Sequence, residues 1–236
     1  MNKQYERTAA VLGDEAVEKL KKAKAAVFGL GGVGGYVCEA LARSGIGTLI
    51  IVDNDEIDET NINRQIIALH RTKGRSKADV MEERLKDIDP EINIIKKKCF
   101  YLPENSDEVD LAGSSYVVDA VDTVTAKVEI ITQAKKLGIP VISCMGTGNK
   151  TDPSQLRVAD IAKTSVCPLA KTMRKLLRER DIKDVKTVYS TEAPVKKKSI
   201  EGNHRAPGST AFVPPSAGLL IAAEVVKDII NDEEDL

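Results

Sequence analysis

The sequence predicts an α/β protein whose core is a doubly wound, mainly parallel sheet. Short apolar runs alternate with helix-periodic segments through the first 145 residues, the order expected of linked strand–helix–strand units. The runs are continuous rather than alternating, as in strands buried on both faces. The first of them stops at a cluster of glycines, the punctuation of a tight strand-to-helix turn.

A mixed helix opens the chain, and residues 24–28 (Lys-Ala-Ala-Val-Phe) form the apolar run that ends at the glycines. Residues 36–44 read as a helix, Gly45 and Gly47 punctuate, and the β-branched run 48–52 ends at Asp53, completing one βαβ unit. Ser76 is placed to cap a helix carrying Met81, Leu85 and Ile88 on one face, ending before Pro90. Ile92 and Ile94 alternate as a strand, 116–121 is another apolar run, 124–137 a helix stopped by Gly138, and 140–144 a strand. Beyond Gly146 the rhythm changes: turns over 148–154, strands over 156–161 and 185–191, and a charged helix over 169–180 between them. A mobile loop is expected over 192–215, then a helix over 217–230 and an acidic tail. The division expected is a nucleotide-binding core over 1–145 and a C-terminal, substrate-facing α/β extension over 146–236 packed on it, one compact domain overall.

Apolar residues are 42% and charged residues 30% of the chain, a balance that supports a packed core and excludes overall disorder. Pro214, Pro215, Ser216 and Glu224 interrupt the longest apolar candidate, so no membrane span is expected. The N-terminus lacks the apolar centre of a secretory signal and carries acidic residues, which points to a cytoplasmic protein. The four cysteines include no Cys-x-x-Cys pair, so reduced thiols are expected. Cys38, Cys99 and Cys144 read as core residues. Cys167 is either an accessible thiol or, as favoured, a passive one, and His70 and His204 lack ligand spacing. Thirty-five basic against 36 acidic residues exclude a globally basic nucleic-acid binder and leave a local basic face open.

Gly29, Gly31 and Gly34 satisfy Gly-x-Gly-x-x-Gly between a strand and a helix, with Gly32 a fourth glycine. In this Rossmann-like context bare backbone N–H groups and the helix N-terminus receive phosphate. Asp53, 19 residues past Gly34, stands where a carboxylate accepts from ribose hydroxyls. Those features alone also suit a nicotinamide oxidoreductase, or glycines that merely permit tight packing. Arg64 and Lys77 separate the readings: nucleotidyl transfer builds charge on the α-phosphate and the departing pyrophosphate, which two cations stabilise. A solvated arginine with a lysine at a helix start is the plainer alternative, although a cation there calls for an anionic partner. Asp122 follows an apolar strand at the carboxyl edge of the sheet and suits either Mg²⁺ near the phosphates or the cap of the next helix.

These residues together resemble the ubiquitin-activating (E1-like) adenylating superfamily, in which Gly-x-Gly-Gly-x-Gly, a strand-end Asp, Asn-x-x-Arg-Gln and a downstream Lys bind ATP. Here they are Gly29 to Gly34, Asp53, Asn61 with Arg64 and Gln65, and Lys77. The resemblance implies an E1-type adenylation domain that joins a carboxylate to AMP from Mg-ATP, with Asp53 on the ribose, Arg64 and Lys77 on the phosphates and Asp122 at the metal. It also implies a homodimer in which an N-terminal arginine, here Arg7, reaches the partner's site. The absence of paired Cys-x-x-Cys and the presence of Asp122-Thr123, with the segments 163–170, 189–193 and 207–218, resemble the branch that dehydrates tRNA threonylcarbamoyladenosine. That branch implies a carboxylate on adenosine 37 of tRNA (t6A37), activated by ATP and closed into a ring within its own side chain, with a sulfur-relay protein as a possible partner. Activation of a ubiquitin-like sulfur carrier is the alternative within the superfamily. A tRNA-binding module without catalysis is a further one.

Between Lys163 and Lys186 eight basic residues face three acidic ones. Lys171, Arg174, Lys175 and Arg178 recur at helical spacing, so one face is expected to follow the tRNA backbone, with Lys196 to Lys198 extending it. A solvated charged face is the alternative reading.

Overall fold

The computed structural model describes residues 3–195 and 207–231 and shows the expected α/β architecture. Two short helices, α1 (Glu6–Leu12) and α2 (Asp14–Lys22), precede the first unit of β1 (Lys24–Phe28), α3 (Gly34–Ser44) and β2 (Thr48–Val52). Next come α4 (Lys77–Ile88), β3 (Asn93–Lys97), β4 (Tyr116–Asp119), α5 (Val124–Lys136) and β5 (Val141–Cys144). The chain continues through β6 (Leu156–Asp160), α6 (Pro168–Arg178), β7 (Lys186–Ser190) and α7 (Val213–Asn231).

One seven-stranded sheet runs β3-β2-β1-β4-β5-β7-β6. Every pairing is parallel except β6 with β7, so the two late strands extend the same sheet, β7 beside β5 and β6 antiparallel at the edge. Strand order reverses between β1 and β4, and an open sheet leaves a crevice at its carboxyl edge where that happens. The apolar faces explain the layering. Leu20 of α2, Leu41 of α3, Met81 of α4 and Ile221 of α7 pack on one side of the sheet, while Ile130 of α5 and Met173 of α6 pack on the other. At the N-terminus, Tyr5 buries its ring and donates its hydroxyl to Asp89 at 2.6 Å, which ties the first helices to the end of α4.

Several details differ from expectation, most element ends by only one or two residues. β4 stops at Asp119 rather than at Val121, because Ala120 and Val121 turn over the carboxyl edge of the sheet. Ser76 makes no side-chain cap; its backbone instead bridges to Glu56. Helix α6 ends at Arg178, ahead of Asp181 and Asp184, both with positive φ. Helix α7 begins at Val213, with Pro214 and Pro215 in its first turn, where no intrahelical N–H is required. The expected loop over 192–215 therefore ends earlier, and residues 196–206 lie outside those described. Among the described residues no helix is long and apolar enough to cross a membrane.

Candidate functional site

A cleft of about 670 Å³ opens at the carboxyl ends of β1, β2, β4 and β5. Gly29, Gly31 and Gly32 line it. Gly29 has φ of +86°, in the left-handed region that L-residues avoid. Gly34 lies behind the loop in the first turn of α3, where a Cβ would stand 1.8 Å from the Gly29 carbonyl oxygen, so no side chain fits there. The N-cap of α3, Val33, offers no side-chain acceptor, and the Gly35 and Tyr36 N–H groups turn back to the Gly31 and Val33 carbonyls at 3.1 and 3.0 Å, so the donors that face a ligand are those of the glycine loop itself.

Asp53 sits at the end of β2 and holds the loop: its Oδ2 accepts from the Leu30 N–H at 2.6 Å and its Oδ1 from the Asp55 N–H at 2.8 Å. Burial pushes its carboxyl above the usual aspartate range, against the opposing pull of Lys77 and of those two N–H groups. Lys77 is 6% exposed, and its ammonium donates to Asp55 Oδ2 at 2.7 Å. The anionic partner expected for this lysine is thus supplied by the protein itself, as Asp55. The Lys77 N–H also donates to the Asp55 carbonyl at 2.9 Å, which fixes the two residues backbone to backbone.

Arg64, half-buried in the cleft wall, donates to the Thr60 carbonyl at 3.0 Å and to Asn63 Oδ1 at 2.8 Å. Burial lowers its guanidinium pKa, a cost that an anionic ligand offsets. Asn61 lines the cleft, but its Oδ1 accepts from the Asp58 N–H at 3.1 Å, so it also fastens the turn that carries Arg64. Gln65 is 6% exposed, and its Oε1 is a buried acceptor without a hydrogen-bond partner beside Gly31.

Asp122 lines the cleft and is exposed. Thr123, not Asp122, occupies the N-cap of α5 and makes no side-chain cap bond, so the capping alternative is not realised. Asp122's carboxylate has no hydrogen bond or ion pair among the described residues. One free carboxylate facing a phosphate site fits Mg²⁺, which takes one or two protein carboxylates and completes its shell from phosphates and water. No group of three His, Cys, Asp or Glu that could hold a metal occurs among the described residues.

A buried ion pair lies beneath Asp122 and escaped the sequence reading. Lys127 and Asp119 are both fully buried, 2.9 Å apart, and Ser143 donates its hydroxyl to the same carboxylate. Position 127 shares the apolar stripe of α5 with Val124, Val128 and Ile131, and a lysine on such a stripe was the available signal.

Cys99 and Cys144 line the cleft, and burial holds both thiols above their ordinary range. Cys167 is buried, which removes the accessible-thiol reading. Burial pushes Cys144 up to about 12. Cys99, expected in the core, is half-buried on the cleft wall beside Phe100 and Tyr101; burial raises its pKa as well, so the thiol stays protonated. Tyr101 packs edge-on against Phe28 with ring centroids 4.8 Å apart. His70 is exposed on a short turn, and His204 lies outside the described residues.

Helix α6 starts at the cleft rim, where Leu169 lines the opening. Lys171, Lys175 and Arg178 are exposed along it. Arg174 departs from the expected basic face: its guanidinium folds back to donate to the Thr164 carbonyl at 2.9 Å and to the Thr164 hydroxyl. Lys196 to Lys198 lie outside the described residues. Arg7 is exposed on α1 and is not part of the cleft of its own chain.

The ThiF family model matches residues 5–236. The tRNA threonylcarbamoyladenosine dehydratase of Bacillus subtilis is 42% identical over 98% of this chain and 96% of its own length. The enzyme of the same name from Escherichia coli is 40% identical over 80% of this chain and 73% of its own. The solved structure of the Escherichia coli tRNA N6-threonylcarbamoyladenosine dehydratase in complex with ATP superposes with a TM-score of 0.88 at 34% identity, covering 96% of this chain and 93% of that one.

Proposed function

The chain belongs to the ThiF family, and we propose that it is an ATP-dependent tRNA threonylcarbamoyladenosine dehydratase, adenylating the threonylcarbamoyl carboxylate of adenosine 37 and releasing it as a ring. One observation carries this reading: Arg64 and Lys77 stand in the same cleft as the glycine loop and Asp53. A cleft built only to hold a dinucleotide has no use for both cations. The names of the full-length relatives and the ATP complex of one of them support it.

ATP lays its phosphates on the N–H groups of the glycine loop ahead of α3, its ribose toward Asp53, and its α- and β-phosphates between Arg64 and Lys77. A carboxylate oxygen of the substrate attacks the α-phosphorus, the bond to the bridging oxygen breaks, and pyrophosphate leaves with the electron pair. The two cations and the loop dipoles meet the charge that develops. An atom of the same threonylcarbamoyl side chain then attacks the activated acyl carbon. AMP departs carrying the former carboxylate oxygen, and a proton is lost, so the net change is removal of one water. Attacker and acyl group share one side chain, so the second step draws on a high effective molarity and needs no protein nucleophile. That agrees with the upward shift of the two cleft thiols, Cys99 and Cys144, by burial. Asp122 would hold Mg²⁺, which would supply charge neutralisation at the phosphates.

Lys171, Lys175 and Arg178 form a basic track leading from the cleft rim and follow the tRNA backbone. The active unit is a homodimer in the cytoplasm, with Arg7 of each chain entering the partner's cleft. The chemistry closes without a sulfur-relay protein, whose role would be to dock on the enzyme rather than to complete the site. The sulfur-carrier alternative lacks the paired Cys-x-x-Cys of carrier-activating members.

The test is pyrophosphate exchange into ATP. Exchange should depend on tRNA that carries the threonylcarbamoyl group and vanish with tRNA that lacks it. Exchange driven equally by unmodified tRNA, or by a carrier-protein C-terminus alone, refutes the assignment.

A further inference from the structure

We propose that Lys127 is a positioning residue for adenylation: its buried ammonium clamps the carboxyl ends of β4 and β5 so that Asp122 and the 145–148 wall keep their places around the phosphates. Lys127 is 0% exposed, and its Nζ has three acceptors. They are Asp119 Oδ2 at 2.9 Å, the Cys144 carbonyl at 2.7 Å and the Val121 carbonyl at 3.1 Å. Each acceptor has a place in the site. Val121 is the residue before Asp122. Cys144 ends β5, and Met145, Gly146, Thr147 and Gly148, which follow it, line the cleft. Asp119 closes the clamp from the other side, since its Oδ1 accepts from the Val121 N–H at 3.3 Å and its Oδ2 from the Ser143 hydroxyl.

Stability alone does not explain this arrangement. Two charges taken fully out of water lose solvation that their mutual attraction barely repays, and apolar pairs of similar size usually serve stability as well or better. What an apolar pair cannot do is hold the carbonyl at the end of β5 and the carbonyl of the turn after β4 at one point. The third hydrogen position of the ammonium is spent on such a carbonyl, so the pair fixes geometry at the cleft edge. This inference rests on the proposed reading that Asp122 serves the phosphates.

The experiment compares Lys127→Met, the double variant Asp119→Asn/Lys127→Met, and Asp122→Asn with the unaltered enzyme. Readouts are Tm, the ATP-induced rise in Tm, kcat, KM for ATP and the Mg²⁺ concentration for half-maximal rate. Lys127→Met should lower kcat by about 100-fold, the cost of misplacing a group by roughly 1 Å, and raise the Mg²⁺ requirement, while KM for ATP stays within about threefold. The double variant removes the uncompensated carboxylate, so it should regain Tm without regaining kcat. Recovery of Tm and kcat together, or a Lys127→Met enzyme with unaltered kcat and Mg²⁺ requirement, overturns the proposal. If neither lysine variant folds, Ser143→Ala decides: a fall in kcat at constant KM supports the clamp, and an unaltered kcat overturns it. Asp122→Asn separates the two ideas, because unaltered kcat and Mg²⁺ requirement in that variant refute the role of Asp122 itself.

Discussion

The Lys77 ammonium lies 2.7 Å from the Asp55 carboxylate, and the two side chains differ sharply in surroundings, 7% exposed for the lysine and 58% for the aspartate. A buried cation in the cleft thus has a solvent-exposed anion as its counterion. On the proposed reading triphosphate takes the ammonium from Asp55, and Asp55 yields to water at little cost. Asp55→Asn removes the competitor and a like charge beside the phosphates, so ATP affinity should rise by about tenfold, roughly 1.4 kcal/mol, in a calorimetric titration. Unchanged or weaker binding would mean that the aspartate assists the nucleotide instead.

Arg64→Ala and Lys77→Ala should each reduce adenylation by about 100-fold or more, the usual cost of removing a group that stabilises transition-state charge. Far-UV circular dichroism should stay unaltered. The lysine variant leaves Asp55 exposed and solvated but removes the cation that opposes the burial-raised carboxyl of Asp53, so Tm is measured beside the rate to separate lost stability from lost chemistry. Near-normal kcat in both variants would show that the two cations are not the phosphate clamp.

Asp53 pairs a functional carboxylate with a stability cost. Its pKa is raised on folding, chiefly by burial, so it contributes stability at low pH and that contribution is lost as pH rises through the folded value. At neutral pH the ionised carboxylate is therefore a burden. Asp53→Asn should keep or raise Tm at pH 7.5 by a few degrees while losing the ATP-induced rise in Tm. A large fall in Tm would show that its bonds to the Leu30 and Asp55 N–H groups outweigh desolvation.

Glu39 has the opposite sign. Burial pushes its carboxyl up, but Arg84 at 2.6 Å and Arg43 at 2.7 Å overcome that and hold it below its ordinary value. Its stabilising contribution is complete above the unfolded glutamate value and disappears as pH falls through the lowered one. Glu39→Gln should cost stability at neutral pH by about 1 kcal/mol or more and flatten the acid limb of a Tm-against-pH curve. Parallel acid limbs would remove this residue from the pH response.

The βαβ unit was legible because continuous apolar runs, glycine punctuation and Asp53 fall within one short stretch, where local chemistry decides local structure. Arg64 and Lys77 stood out in the sequence as cations downstream of the glycine loop, and the structure brings both to the cleft wall, where they also have protein partners. Lys127 was hidden, because its charge makes sense only once β4 and β5 are side by side. Arg174 was misread as part of the basic face, since helical spacing places Cα atoms and cannot foresee that this guanidinium turns back to Thr164. The late strands are short, and their order in the sheet follows from long-range pairing that no local pattern encodes.

The most direct measurement incubates the purified protein with Mg-ATP and tRNA bearing threonylcarbamoyladenosine, with no other protein, then digests the tRNA and weighs its nucleosides. A modified adenosine lighter by one water, with AMP formed in equal amount, is the expected result. An unaltered nucleoside mass in the presence of bound nucleotide would contradict the carboxylate chemistry on which everything else depends.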